Sequence, residues 1–274
     1  MNPTTPARTP SAAAAGTFAI GADLHVHRLG FGAMRLTGPG VWGAPADRSA
    51  AVRVLRRALE LGVNFIDTAD SYGPGVSEEI IAEALHPYPP GLVIATKGGL
   101  TRAGPGAWGR DAHPLHLRSA CEGSLRRLRL ARIDLYQLHA VDPRVPLEDS
   151  LGELARLRAE GKIRHIGVSN VSAQELERAQ RAVNVVSVQN RYNRAERDAE
   201  GVLRACERAG IAFIPWFPLG AGREAENAPR ALAWLLARSP VMLPIPGTSS
   251  VAHLEENVAA AALRLSAREV QQME

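Results

Sequence analysis

Short apolar runs alternate along the chain with longer stretches in which apolar positions recur every three or four residues. "RSAAVRVLRRALELG" puts Val52, Leu55 and Leu59 on one helical face and ends on Gly62 as a C-terminal cap. "VNFID" follows as a short buried strand. The same pattern returns in "LGELARLRAEG" then "KIRHIGVSN", and in "GVLRACERAG" then "IAFIPW". Ser172 and Glu175 form a capping box ahead of "AQELERAQRA". Eight strand-like runs can be counted: "RLGFGAM", "VNFID", "GLVIATK", "IDLYQLH", "IRHIGVS", "VVSVQN", "AFIPW" and "VMLPIP". Near-continuous apolar strands separated by helices imply a parallel sheet, and eight such units in one chain predict an α/β fold, a TIM (β/α)8 barrel. A doubly wound sheet would carry G-x-G-x-x-G after its first strand, and "GFGAMRL" does not complete that pattern.

Ahead of the first barrel strand, "TFAIGADLHVHRLG" holds two alternating runs around Gly21 and Ala22, the pattern of a β-hairpin. Residues 1–16, rich in Pro, Thr and Ala, are expected to be a disordered tail, with residues 17–274 forming a single barrel domain. The tail lacks the apolar stretch of a signal peptide, and no apolar run reaches membrane-spanning length.

Composition narrows the function. The formal net charge is +4, and the cations are nearly all arginine, with only Lys97 and Lys162 as lysines. The arginines are interspersed with apolar residues on helices, without a basic stripe carrying aromatics, so neither nucleic acid nor a membrane surface is an expected partner. The two cysteines, Cys121 and Cys206, read as buried thiols in a reducing cytoplasm.

"ADLHVHRLG" raises a metal site, because His25 and His27 at i and i+2 of a strand share a face, as in metal-dependent barrel hydrolases. Barrel chemistry sits at the C-terminal ends of the strands, whereas this pair lies on the added hairpin. The eighth strand also offers no carboxylate. A surface hairpin and no metal is the expectation. At the strand ends themselves stand Asp67 after the second strand with Tyr72 just beyond, Lys97 after the third and His139 after the fourth. Each alone has a structural reading as cap, packing or surface charge. Together they put a carboxylate, a phenol, an amine and an imidazole at one barrel mouth.

These residues lie in "GVNFIDTADSYG", "IATKGG" and "IDLYQLHAVDP". With "GKIRHIGVSN", "VVSVQNRYN" and "LPIPGTSS…LEEN", they give the chain a resemblance to the aldo-keto reductase family over nearly its whole length after the tail. The resemblance implies that Asp67, Tyr72, Lys97 and His139 are the catalytic tetrad of a reductase that turns an aldehyde or ketone into the alcohol. In that chemistry Tyr72 gives the proton as general acid, and an ammonium beside it is expected to lower its pKa. Asp67 holds Lys97, and a neutral His139 polarises the carbonyl. The hydride donor implied is NADPH, with NADH as the alternative. Its nicotinamide falls to Ser169, Asn170 and Gln189, with Trp216 stacked on the ring. Its phosphates fall to Leu219, Gly247, Thr248, Ser249 and His253, and its adenine to Glu256 and Asn257. The stretch after the eighth strand lacks the Lys or Arg that many NADPH-preferring relatives place there. In the loop "LTGPGVWGAPADR", Trp42 is the expected wall of the substrate pocket, and "GGLTRAGPGAWGRD" adds Trp108. The loops look like a bacterial subset that includes pyridoxal reductases, which suggests pyridoxal or another aromatic aldehyde as the small-molecule carbonyl substrate, with a general detoxifying reductase of small aldehydes and ketones as the equal alternative. A monomer is the expected state. A cofactor-binding regulatory subunit is the rival within the family, and a metal-dependent hydrolase the rival outside it.

Overall fold

The structure, a computed structural model, describes residues 9–222, 224 and 227–273. Two antiparallel strands, β1 (Thr17–Ile20) and β2 (Leu24–His27), open the fold as the expected hairpin. Gly21 and Ala22 both take positive φ at its tip, in the three-residue loop between the paired Ile20 and Leu24. The barrel units follow in order: β3 (Phe31–Gly32), α1 (Arg48–Glu60), β4 (Phe65–Asp67), α2 (Val76–Leu85) and β5 (Val93–Gly98). A second hairpin, β6 (Leu100–Gly104) with β7 (Ala107–Arg110), interrupts the alternation. Then come α3 (Pro114–Leu128), β8 (Ile133–Leu138), α4 (Leu147–Ala159), β9 (Ile163–Ser169) and α5 (Ala173–Ala182). The chain ends with β10 (Val185–Arg191), α6 (Glu200–Ala209), β11 (Ala212–Trp216), α7 (Ala228–Arg238), α8 (Val251–Ala259) and α9 (Ala267–Gln272).

Among the described residues, seven parallel strands form one sheet in the order β11-β10-β9-β8-β5-β4-β3. The eighth run, "VMLPIP", closes it without being a regular strand. Phe213 N donates to Val241 O and Leu243 N to Phe213 O, while Gly30 N donates to Pro244 O and Gly32 N to Pro246 O. Pro244 and Pro246 have no N–H to give, so the segment bonds to its first-strand neighbour through carbonyls only. The ring closes there because two backbones approach closely at glycines. A Cβ at Gly32 would lie 2.6 Å from Ile245 O, and one at Gly247 would meet Gly32 O.

Inside the barrel, Phe65, Val93, Ala95, Leu135, Ile214, Leu243 and Ile245 pack on Ile20, Leu24 and Val26 of the opening hairpin. That hairpin therefore seals one end. The sealed end is the one where strands begin: His27 N donates to Asn64 Oδ1 just before β4, and Asp23 pairs with Arg164 and His165 at the start of β9. The helices cover the outer face of the sheet. The capping box at Ser172 and Glu175 is present, Asp47 caps α1 by accepting from Ala50 N, and Gly62 ends α1 at φ 78°. Cys121 and Cys206 are buried free thiols.

The expected tail boundary is too late. Residues 1–8 lie outside the described ones, but Ala12–Ala15 form a 3-10 turn. Ala12 is fully buried there, and its N–H bonds to Leu61 O. A small side chain such as Ala12 can pack where a larger one could not, so composition alone misleads. Among the described residues, no helix is long and apolar enough to cross a membrane.

Candidate active site

The two-residue period of a strand decides what reaches the open end. Phe65 faces the barrel interior and so does Asp67 at the end of β4; Val93 and Ala95 lead to Lys97 in β5; Leu135 leads to Gln137 in β8 and to His139 just beyond. The apolar interior thus gives way to a buried polar layer. Lys97 is fully buried and Asp67 nearly so. Lys97 Nζ donates to Asp67 Oδ1 at 2.6 Å and to Thr68 O at 2.8 Å. The other carboxylate oxygen of Asp67 accepts from Gln189 Nε2 at 2.9 Å and Gln137 Nε2 at 3.2 Å. Ser187 Oγ fixes Gln137 by donating to its Oε1 at 3.2 Å. A buried charge pair is tolerable only when its remaining lone pairs and protons are satisfied, and this network does that.

Tyr72 lies over the pair. Lys97 Nζ is 5.3 Å from its ring centroid, and the His139 ring meets it edge-on with centroids 5.8 Å apart. Burial works to lower the pKa of Lys97, but the Asp67 carboxylate and Tyr72 outweigh it, and the pKa is raised. Lys97 is therefore a fixed cation at any ordinary pH. Burial raises the Tyr72 phenol, and although the Lys97 ammonium opposes this, the net shift is upward. The expected lowering is thus real as the ammonium's own contribution and wrong as the sum. Tyr72 stays protonated. Burial first and Lys97 second push His139 well below the usual imidazole range, so its ring is neutral. Ser71 Oγ stands 3.4 Å from Nδ1. A proton donated there leaves Nε2 to carry the ring proton.

These groups open into a cavity of about 780 Å³ at the strand C-terminal ends. Asp67, Tyr72 and His139 line it, with Lys97 behind. Of the residues expected around a dinucleotide, Ser169, Asn170, Gln189, Trp216 and Leu219 line one side, and Gly247, Thr248, His253, Glu256 and Asn257 the other. Ser249 is exposed and does not line the cavity. Asn170, at φ 56°, already spends its side chain: Nδ2 donates to His139 O and Ser169 Oγ, and Oδ1 accepts from Trp216 Nε1 at 3.0 Å. It braces the Trp216 ring. Trp42 is also displaced from its expected role. The cavity wall is Trp108, whose ring is 6.5 Å from that of Tyr72, while Trp42 lies 5.8 Å from the Arg102 guanidinium that stacks on Trp108. The second hairpin, read in the sequence only as a loop, brings Trp108 there.

His25 is exposed on β2 and His27 Nδ1 contacts Gly62 O at 2.6 Å, both at the sealed end. Among the described residues no three His, Cys, Asp or Glu groups gather as metal ligands would. Gln137, buried behind the cavity, and Arg35 and Arg110, which line it, are polar site residues that the sequence reading leaves out. Gln137 was legible, standing two residues before His139 on the same face. Arg35 follows the first strand and lines the cavity near Gly247 without an ion pair among the described residues. Arg110 carried no signal at all.

A model of the Aldo/keto reductase family matches residues 28–229 and 224–274. The chain is 50% identical to an uncharacterised oxidoreductase of Schizosaccharomyces pombe, over 97% of this chain and 91% of that protein. It is 45% identical to the pyridoxine 4-dehydrogenase of Escherichia coli, over 91% and 94%. Among solved structures, an aldo-keto reductase from Klebsiella pneumoniae in complex with NADPH superposes with a TM-score of 0.79 at 28% identity, covering 94% of this chain and 93% of that one.

Proposed function

The chain belongs to the aldo/keto reductase family, and from that premise we propose that it reduces aldehydes with NADPH, Tyr72 giving the proton. Aromatic aldehydes, pyridoxal among them, are the substrate class we favour, in keeping with the Escherichia coli relative's name, pyridoxine 4-dehydrogenase. The observation that carries the reading is a protonated phenol and a neutral imidazole at the mouth of a cavity, with a buried Lys–Asp pair behind the phenol.

The residues present suit the cofactor. Gly32 and Gly247 line the cavity as bare backbone, packed against one another at the seam, and bare backbone is what close approach of a phosphate needs. Arg35 supplies beside it the cation that the loop after the eighth strand lacks. Trp216, braced by Asn170, offers a flat face for the nicotinamide, and Gln189 keeps Oε1 free for its carboxamide because Nε2 is engaged by Asp67. NADPH, when bound, supplies the hydride.

The protein's own part is the proton and the charge. His139 Nε2–H and the Tyr72 hydroxyl both donate to the substrate carbonyl oxygen and fix its place. As negative charge grows on that oxygen, Tyr72 hands over its proton. The phenolate left behind is stabilised by the Lys97 ammonium. Asp67, Gln137 and Gln189 keep that ammonium in register. Burial raises the acid's pKa before the reaction, and the ammonium limits the cost of ionising it during the reaction.

Tyr72→Phe removes the proton donor and leaves the cofactor cradle untouched. We expect aldehyde reduction to fall at least about a hundredfold, with NADPH affinity, read by quenching of tryptophan fluorescence, nearly unchanged. Arg35→Ala should do the reverse, weakening NADPH binding with kcat at saturating cofactor retained. Activity of Tyr72→Phe above about one per cent of wild type would remove the tyrosine from its role. Unaltered cofactor affinity in Arg35→Ala would remove the arginine from the cradle.

A further inference from the structure

Beside the catalytic cavity lies a second one of about 490 Å³, walled by residues 141–147 after β8 and by the first turns of α5. The two cavities share Arg110 and Asn170. Three arginines reach the second cavity, and two of them are matched. Arg144 holds Asp142 through Nε at 2.9 Å and Nη2 at 2.7 Å, and Arg178 holds Glu148 through Nε at 3.1 Å and Nη2 at 2.9 Å. Glu175, also on this wall, is occupied by the N–H of Ser172 at 2.7 Å and its hydroxyl at 2.8 Å.

Arg110 is different. Its Nη1 donates to Val141 O at 3.2 Å, and it forms no ion pair among the described residues. A guanidinium has five N–H donors in a planar fork, so most of its capacity is unspent. Its backbone is pinned: the residue pairs with Leu100 across the hairpin, and Arg144 Nη2 donates to its carbonyl. Trp108, two residues earlier in β7, presents an apolar wall beside Tyr72. A carbonyl at Tyr72, a ring along Trp108 and an unmatched guanidinium at the rim make a graded path from the reacting centre to a charge.

We propose that Arg110 anchors an anionic substituent of the substrate, so that among aromatic aldehydes this protein turns over those carrying a carboxylate or phosphate group remote from the carbonyl more efficiently than neutral ones such as pyridoxal. The proposal rests on the reductase reading. Asn170, shared by both cavities, is spent on His139, Ser169 and Trp216, which leaves Arg110 as the group at the junction with donors to give.

The test compares kcat/KM for 4-nitrobenzaldehyde, 4-carboxybenzaldehyde and 4-formylphenyl phosphate in the wild type, Arg110→Ala and Arg110→Gln. For both variants we expect at least a tenfold loss on one or both charged aldehydes, carried by KM, with 4-nitrobenzaldehyde within twofold of wild type. The larger loss identifies the anion. Retained turnover of the neutral aldehyde shows that the variants are folded. Losses equal on all three substrates, or no loss on the charged ones, would overturn the anchor and leave the reductase reading standing. Failure of the wild type to reduce any of the three with NADPH would overturn the reading, and the anchor with it.

Discussion

His139 is a residue on which burial and a buried ammonium act in the same direction. Both hold the imidazole neutral, with a pKa well below its ordinary 6.5. The proposed function needs that state, since a neutral ring donates one hydrogen bond without adding a charge beside Lys97. Stability bears the consequence. As pH falls below about 6.5, the unfolded chain takes up a proton at this residue that the folded protein refuses. Stability is therefore full above that pH and is lost as the pH drops toward the folded pKa, at up to about 1.4 kcal/mol per pH unit for one such group. Urea unfolding of wild type and His139→Asn from pH 7 to pH 5 should show the wild type falling more steeply. Parallel lines would mean that His139 takes its proton in the fold. At this scale much of the site could be read in advance. Asp67, Lys97 and His139 were legible because strand parity places them at one end of one barrel. The net direction of the Tyr72 shift was not, because burial is a property of the assembled pocket and a local ammonium is not enough to predict it.

The elements were legible where backbone chemistry was uniform and illegible where it was not. Seven of the eight strand-like runs became strands of the sheet, and the eighth is interrupted by Pro244 and Pro246. The segment "GGLTRAGPGAWGRD" hid a hairpin because its Gly and Pro residues read as loop; within it Arg102 stands opposite Trp108. That guanidinium donates to Val41 O and Gly40 O at 2.7 Å each, to Ala107 O at 3.1 Å and to Ser71 O at 3.3 Å, while stacking 3.7 Å from the Trp108 ring. It ties the hairpin to the loop after β3 and to the residue before Tyr72. Lysine cannot reproduce a planar fork. Arg102→Lys is accordingly expected to raise amide hydrogen exchange over residues 100–110 at least tenfold and to raise KM for aromatic aldehydes several-fold. The global melting temperature should stay within about 3 °C, since a loss confined to one surface element is of order 1 kcal/mol. Exchange rates identical to wild type would show that the hairpin holds itself.

At the scale of the whole molecule, the barrel depends on a seam that lacks a full ladder. The closing segment meets β3 through the carbonyls of Pro244 and Pro246, and the approach is close because Gly32 and Gly247 face one another's backbones. The same two glycines line the cavity proposed for the cofactor, so closure of the fold and the proposed binding meet at one place. A methyl group at Gly247 would press on Gly32 O, a backbone atom that cannot swing aside. Overpacking of this kind costs about 1 to 3 kcal/mol. Gly247→Ala is therefore expected to lower the melting temperature by about 2 to 8 °C and to weaken NADPH binding in the same protein. Gly152 provides the contrast. It lies within α4, and a Cβ there meets nothing within 4 Å. Gly152→Ala should gain about 0.5 to 1 kcal/mol from the lower entropy of the unfolded chain and the better helix former, with cofactor affinity unchanged. If Gly247→Ala melted with the wild type and bound NADPH equally well, the seam would have to be looser than its carbonyl contacts require. The cradle could then no longer be the place where fold and cofactor meet.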